Sequence, residues 1–273
     1  MSRTRNKGGA AIGVARRQCI LALLTRGEVI AVGDLAERFR ASRETIRRDI
    51  RSLEQEGLLR RVHGGVQPLR TIDLTARRPS VELLNVDRDA KMAAAKAALP
   101  LCSDDMTVFL DGGSTLLFLA EALAESGKAL NVTTHMINIA AVMAESPNCT
   151  VTLIGGIVNR KNYSLGGPEV IRSLQERLFD LTIMGGSALN LDFGFLGPSR
   201  AHVDLAHVLA ERSSRVAFAM DRGKLDRSDA HIMLPLARVS TLATDGDPTE
   251  EQRARLEGAG VTILTPEMLA WTG

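Results

Sequence analysis

Residues 42–65, SRETIRRDIRSLEQEGLLRRVHGG, decide how the first part of this chain folds. At about 100° per residue, Ile46, Ile50 and Leu53 fall on one narrow side of a helix. The opposite side carries charged side chains, namely Glu44, Arg47, Arg48 and Arg51. The stretch therefore predicts an amphipathic helix with one packing face and one face of guanidinium groups.

Elements on both sides of this helix predict a winged helix-turn-helix. Upstream, residues 14–27 and 32–39 each have the apolar spacing of a short helix. Ser42 is a suitable N-cap for the third helix, which should end at Gly57. Downstream, LLRRVHGGVQPL at 58–69 predicts two strands joined by a tight glycine turn, which would form the wing.

Charge is distributed unequally along the chain. Residues 1–70 carry 15 Lys and Arg against 7 Asp and Glu, whereas residues 71–273 carry 19 against 25. A basic head on an acidic body favours contact between the head and a polyanion. The alternative is a solvated helix face with i,i+4 pairs such as Glu44–Arg48. Phe39 is the single aromatic residue of the head and lies on an apolar side, which favours duplex DNA over stacked single strands.

The predicted partner of the head is therefore double-stranded DNA. The third helix would enter the major groove, and the wing would lie beside the duplex backbone. The predicted DNA contacts are Ser42, Arg43, Glu44, Thr45, Arg47, Arg48 and Arg51 of the helix and Arg60, Arg61, His63 and Gly64 of the wing. His63 is assigned to the wing turn, because no second His or Cys lies at metal-ligand spacing.

The rest of the chain predicts an α/β domain. Strand patterns such as MTVFLDGGST at 106–115 alternate with helical patterns, which is typical of a mostly parallel sheet. The predicted organisation is a DNA-binding domain at 1–70, with 1–13 disordered, a polar linker at 71–88, and an α/β effector-sensing domain at 89–273.

Polar turns follow several of the predicted strands, where parallel sheets bind ligands. The candidate effector-binding residues are Asp111, Gly112, Gly113, Ser114, Thr115, Thr133, Thr134, His135, Gly155, Gly156, Gly185, Gly186, Ser187, Asp221 and Lys224. Glycines allow close backbone approach, while hydroxyls and Lys224 complement phosphate. Together they favour a phosphorylated sugar or polyol. The chain has no P-loop and no GxGxxG after a strand, so no cofactor is expected, and no metal site is predicted.

Residues 42–65 resemble the signature of the DeoR family of bacterial transcription regulators, which runs from Ser42 through the TIRRD core at 45–49 to the terminal HGG at 63–65. The body resembles the effector domain of the same family, which is similar in fold to ribose-5-phosphate isomerase. The resemblance implies a winged helix-turn-helix that binds operator DNA. Two departures leave the effector open: the segment GGSALNLDFGFLGPS at 185–199, and Asp204 with His207 where the family has a Glu-x-x-Lys-like helix.

The predicted function is a repressor of a carbohydrate or polyol catabolic operon, released from DNA by a phosphorylated sugar. A homo-oligomer on repeated half-sites is expected, because one head buries a small interface. Three widely spaced cysteines and the lack of a long apolar run predict a cytoplasmic protein without a membrane segment. The alternative is a phosphosugar isomerase with a DNA-binding head, using Asp111, His135 or Asp221. An enzyme is not expected, because no closely spaced carboxylate pair accompanies them.

Overall fold

The computed structural model describes residues 16–17, 19–20, 23–24, 30–55, 59–62, 65–68, 86–225 and 227–270. The chain divides into two compact units, residues 1–71 and 72–273, which are treated separately below. The segment predicted to be disordered, 1–13, lies outside the described residues, as do the wing-turn residues His63 and Gly64. Of the predicted linker, 71–88, only the last three residues are described.

The first unit is a winged helix-turn-helix. After six described helical positions between Arg16 and Leu24, its elements are β1 (Ile30–Ala31), α1 (Val32–Arg38), α2 (Arg43–Gln55), β2 (Leu59–Val62) and β3 (Gly65–Pro68). The three strands form an antiparallel sheet in the order β1-β3-β2. The predicted apolar stripe is confirmed, because Ile46, Ile50 and Leu53 are all buried and pack with Ile20 and Leu35.

The second unit is built around a main sheet of seven strands. Its helices are α3 (Arg88–Ala98), α4 (Ser114–Glu125), α5 (Ile137–Met143), α6 (Pro168–Gln175), α7 (Arg200–Arg212), α8 (Glu250–Gly258) and α9 (Pro266–Ala270). Its strands are β4 (Thr107–Leu110), β5 (Asn131–Thr134), β6 (Thr150–Leu153), β7 (Ile157–Asn159), β8 (Ser164–Gly166), β9 (Phe179–Met184), β10 (Ala188–Asn190), β11 (Gly194–Gly197), β12 (Ser213–Ala219), β13 (His231–Leu234), β14 (Thr241–Ala243) and β15 (Thr262–Leu264).

The main sheet is parallel throughout, in the order β15-β14-β12-β9-β4-β5-β6. Its two faces pack into separate cores because side chains alternate along each strand. In β4, Phe109 belongs to one core, whereas Val108 and Leu110 belong to the other. The predicted fold class, a winged helix followed by a mostly parallel α/β domain, is therefore confirmed.

The strand order places a crevice at the ends of β4 and β9. The chain runs outward from β4 to β5 and β6, and then returns to place β9 on the other side of β4. Ligands of open α/β sheets bind at the carboxyl ends of strands, where such a change of direction occurs. Asp111 follows β4 at this point and Gly185 follows β9.

Two small sheets lie outside the main one. β7 and β8 form an antiparallel hairpin, and β10, β11 and β13 form a three-stranded antiparallel sheet. The departure from the family pattern at 185–199 corresponds to β10, β11 and the turns around them. Within the described residues, no helix combines the length and apolar character that crossing a membrane requires.

Candidate functional site

Helix α2 begins with a capped turn. The backbone N–H of Thr45 donates to Ser42 Oγ at 3.1 Å, as the prediction of Ser42 as N-cap requires. The two hydroxyls, Ser42 Oγ and Thr45 Oγ1, lie 2.8 Å apart. Ser42 and Thr45 are therefore already engaged at the start of the helix, with Ser42 exposed and Thr45 half-buried.

The outer face of α2 carries exposed arginines. Arg43, Arg47 and Arg48 make no ion pair with any residue that the structure describes. Arg51 is exposed too, and its guanidinium lies 3.6 Å from the Glu44 carboxylate, a loose surface pair that adds little to stability. The helix thus presents guanidinium groups of the kind that bind guanine edges and phosphates in a major groove.

The wing is fixed to α2 by an ion pair. Arg61 Nε lies 2.6 Å from Glu54 Oε2, and the Arg61 backbone N–H donates to Glu54 Oε1 at 3.3 Å. The Arg60 side chain lies outside the described part of the chain. Of the predicted wing contacts, Arg61 alone can therefore be placed, exposed and paired beside the helix.

A buried ion pair in the head was not predicted. Asp49 is buried, and Arg16 Nε donates to its Oδ2 at 2.6 Å. Arg17 also reaches α2, with Nη1 3.3 Å from Ser52 Oγ. These contacts attach the first helical segment to the inner side of α2, so Asp49 has a structural role and does not lie on the exposed arginine face.

The crevice of the second unit is centred on Asp111 and the Gly185–Gly186 turn. Asp111 is buried, and the Gly185 N–H lies 3.4 Å from its Oδ2. Burial raises the pKa of Asp111, partly offset by backbone hydrogen bonds from Gly112 and Gly185. A Cβ at position 185 would lie 2.7 Å from the Gly112 carbonyl oxygen, so the two turns approach as closely as glycine permits.

Two imidazoles face this carboxyl group. His135 Nδ1 lies 3.9 Å from Asp111 Oδ1, and its ring stacks on Phe109 with ring centroids 6.0 Å apart. Burial lowers the pKa of His135 to about 4, so the imidazole is neutral near pH 7. His202 approaches from α7, and burial lowers its pKa while Asp111 opposes that effect. Ser199 Oγ holds His202 Nδ1 at 2.8 Å.

The first turn of α4 lines the same crevice. It begins after Gly113, whose φ of 120° suits glycine, and Ser114 and Thr115 are both buried there. Thr115 Oγ1 and His135 Nδ1 are buried without a hydrogen-bond partner among the described residues. Buried polar atoms are nearly always paired, so these two atoms are suited to hydrogen-bond a bound molecule. Thr133 and Thr134 are buried at the end of β5, where Thr134 Oγ1 accepts from the Met136 N–H at 3.1 Å.

Lys224 lies on the other side of the Gly185–Gly186 turn, and Lys91 is close enough to sense its charge. Lys224 Nζ donates to the Gly186 carbonyl at 3.1 Å and lies 3.5 Å from Asp221 Oδ2. Lys91 of α3 is buried and donates to the Val86 carbonyl. Burial lowers the pKa of both lysines. The charge of Lys224 lowers the pKa of Lys91 further, while Asp221 opposes the shift of each lysine. The positive charge of these ammonium groups complements the negative charge of a phosphate dianion.

Other predicted effector residues have different roles. The Ser187 hydroxyl donates to the Leu196 carbonyl at 3.0 Å, which pairs β10 with β11. Gly155 and Gly156 are exposed after the edge strand β6, and a Cβ at 156 would lie 2.5 Å from the Gly166 carbonyl oxygen of β8. They form the base of the β7–β8 hairpin.

Lys91 and His202 were not predicted from the sequence as residues of the site. Both lie on apolar helix faces: Lys91 is followed at i+3, i+4 and i+7 by alanines, and His202 by Leu205, Ala206 and Leu209. A titratable residue on an otherwise apolar helix face is the sequence signal that could have indicated both positions. The sequence instead pointed to Asp204 and His207, which occupy the place of the family's Glu-x-x-Lys-like helix. Both side chains are exposed, and Arg200 Nε lies 2.9 Å from Asp204 Oδ1.

The fold and site define a DNA-binding head joined to a small-molecule sensor. The sequence matches the family described as the DeoR-like helix-turn-helix domain over residues 16–71, and the DeoR C terminal sensor domain over residues 86–246. The chain belongs to the DeoR family of transcription regulators. No group of His, Cys, Asp or Glu in the described ranges is arranged to hold a metal ion.

Relatives extend over most of the chain. The HTH-type transcriptional regulator GlpR of Haloferax volcanii is 29% identical over 249 residues, covering 91% of this chain and 96% of the relative. The transcriptional repressor AccR of Agrobacterium fabrum is 28% identical, covering 84% and 88%. Ribose 5-phosphate isomerase A from Methanocaldococcus jannaschii is a similar solved structure, with 18% identity, a TM-score of 0.37, and coverage of 51% and 55%.

Proposed function

We propose that this regulator is a cytoplasmic repressor of a carbohydrate or polyol catabolic operon and that a phosphorylated sugar or polyol releases it from DNA. The observation that carries the ligand class is the two-sided Gly185–Gly186 turn. Gly185 contacts Asp111 on one side, while Gly186 contacts Lys224 on the other. A ligand across this turn would meet ammonium groups at one end and a carboxyl group with neutral imidazoles at the other.

The chemistry of the two ends fits a phosphorylated polyhydroxy compound. Lys91 and Lys224 suit a phosphate dianion. Asp111, His135 and His202 supply both donors and acceptors, as neighbouring hydroxyl groups require. A non-phosphorylated sugar would lack the negative charge that complements the positive charge of Lys91 and Lys224.

Release from DNA requires that the ligand bind the DNA-free state more tightly than the DNA-bound state. A homo-oligomer with two or more heads would supply affinity that a single small head lacks. The name of the relative AccR supports repression, while the arginine face of α2 supports duplex binding. The chain would act on the phosphosugar by binding it and would not turn it over.

The experiment that tests this proposal uses the full chain on fragmented genomic DNA of its source at fixed salt. We expect selective retention of a few promoter fragments and elution by one member of a panel of sugar phosphates. The Lys224→Met variant should retain the same fragments and require at least about tenfold more of that compound, because a charge-assisted bond is worth about 1.5–3 kcal/mol.

The contrary outcomes are distinct. Retention of promoter fragments that no sugar phosphate reverses would overturn the effector class while leaving the DNA-binding head. If the protein selects no DNA fragment, the proposal that it is a repressor is overturned. Turnover of a pentose or hexose phosphate by the purified chain would favour the isomerase alternative, in which Asp111 and His135 transfer protons.

A further inference from the structure

The β7–β8 hairpin exposes a cluster of apolar side chains. Ile157 is 71% exposed, Val158 51% and Tyr163 54%, and Leu153 at the end of the neighbouring edge strand β6 is also exposed. These are four of the eight large apolar side chains that are exposed among the described residues. Single exposed apolar residues are ordinary, but a cluster of them marks an interaction surface.

The outer edge of β7 is unprotected. β7 pairs with β8 on one side only, and all three of its residues are exposed. The strand contains neither a proline nor a charged residue, the usual features that prevent an edge from pairing with another strand. A two-stranded hairpin is also marginally stable by itself. The backbone groups along β7 are therefore available to one further strand.

Charge along the hairpin favours a second copy of the same strand in antiparallel orientation. Arg160 and Lys161 are exposed at the turn end. At the base, the Glu169 carboxylate and the Ile157 side chain both border Gly167, within 3.5 Å of where its Cβ would lie. An antiparallel two-fold contact would place the basic turn of one hairpin beside the acidic base of the other, which makes the surface complementary to itself.

We propose that β7 of one chain pairs antiparallel with β7 of a second copy, so that the two hairpins form a continuous four-stranded sheet in which the exposed side chains of one β7 pack beside those of the other. This inference rests on the proposed function, because it names the surface through which the proposed oligomer forms. Val158, the central residue of β7, lies at the two-fold axis in the centred register.

The hairpin is also bonded to the ligand site. The Leu165 N–H donates to the His135 carbonyl at 2.7 Å, and the Ile137 N–H donates to the Tyr163 carbonyl at 3.0 Å. An isolated bridge joins Met136 to Ser164. The strand pair that carries the proposed contact therefore shares backbone hydrogen bonds with the loop that presents His135.

The first test measures the mass of the full chain by sedimentation velocity across a concentration series. Val158→Lys places like charges opposite each other at the two-fold axis, where such pairs are destabilising. We expect the wild-type protein to associate and the variant to shift at least about tenfold in dissociation constant toward the 29.4 kDa monomer. Leu178→Lys is the matched control, because Leu178 is 73% exposed but lies outside the hairpin; it should associate as the wild type does.

A second variant provides a positive signal even if Val158→Lys folds poorly. Val158→Cys, in a Cys19→Ser background that removes the exposed native thiol, should form a covalent dimer on mild oxidation. Leu178→Cys in the same background should not. A wild-type monomer at every concentration, or undiminished association of a folded Val158→Lys variant without cross-linking at 158, would overturn the interface. If the interface is overturned but the wild-type protein still retains promoter fragments, the proposed repressor function is unaffected. If the wild-type protein retains no promoter fragments, the repressor function itself is refuted.

Discussion

Arg47 lies in the middle of α2, exposed and without an ion pair among the described residues. Its guanidinium can therefore reach a base edge without first leaving a carboxylate. We expect Arg47→Ala to weaken specific operator binding by about 1–3 kcal/mol, the usual value of a bidentate contact to a base. Fluorescence anisotropy with the operator fragment measures this change.

The control for Arg47 is Arg200→Ala, which removes an exposed arginine from α7 of the other unit. Its operator affinity should equal that of the wild-type protein. If Arg47→Ala also binds with wild-type affinity, this side chain does not contribute to base recognition.

His135 makes the stability of the second unit depend on pH. Its pKa is about 4 in the folded chain, against 6.5 ordinarily. As the pH falls through this window, the unfolded chain gains a proton that the folded chain does not, so stability decreases, by at most about 3 kcal/mol. Urea unfolding between pH 7 and 4 measures the slope, which should be smaller for His135→Asn.

Asp111 changes the stability of the folded chain with pH in the direction opposite to His135. Because burial raises its pKa, the folded chain holds a proton that the unfolded chain has lost, so its contribution to stability decreases as the pH rises above the ordinary value of 3.8. The difference between the wild-type and His135→Asn slopes isolates the histidine, with the exposed His207→Asn as control. Identical slopes would show that His135 is not buried in its neutral form.

Single residues differ in how well their sequence position predicts their role. Ile46 was predictable as a core residue because helical periodicity depends only on local spacing. Asp49 was not, because its partner Arg16 lies 33 residues away and no local pattern reveals such a contact. Lys91 is similar: its part in the crevice depends on where α3 packs against strands that follow much later in the chain.

At the scale of elements, the Gly185–Gly186 turn determines whether the crevice can form. A Cβ at 185 would meet backbone at 2.7 Å, whereas a Cβ at 155 would meet nothing within 4 Å. We expect Gly185→Ala to destabilise the protein by about 1–3 kcal/mol and to abolish release by the sugar phosphate. Gly155→Ala should leave both properties unchanged. Thermal unfolding and promoter-fragment elution measure them; equal behaviour of the two variants would contradict the role of the turn.

Elements of the main sheet were predictable, whereas the short strands outside it were not. The strands of the main sheet and the helices between them have enough apolar residues to show their period. The three-residue strands β14 and β15 were still predictable because they are apolar and largely buried. The three-residue strands β7, β8 and β10 lie outside the main sheet, and each exists because a neighbouring segment completes its hydrogen bonds. The turns of the candidate site could be located after strands, but their mutual distances depend on the strand order, which the sequence alone left open.

At the scale of the whole molecule, the unequal distribution of charge predicts a salt-dependent interaction confined to the head. Operator affinity should fall steeply between 50 and 200 mM salt, since each phosphate contact releases condensed counterions. Arg61 lies on the wing, where a phosphate would replace Glu54 as its partner. Arg61→Ala should therefore reduce the slope of log affinity against log salt by about one, while Arg200→Ala should leave it unchanged. Equal slopes for all three proteins would exclude Arg61 from the phosphate contacts.

The links between the hairpin and the loop at 135 consist of main-chain groups. Main-chain bonds survive when a side chain is replaced, so the imidazole at 135 can be exchanged during evolution without loosening the hairpin. A substitution at 135 would in this way change the ligand that the proposed site binds and keep the main-chain links to the hairpin. Selection can then change the ligand that such a domain binds separately from the response to binding.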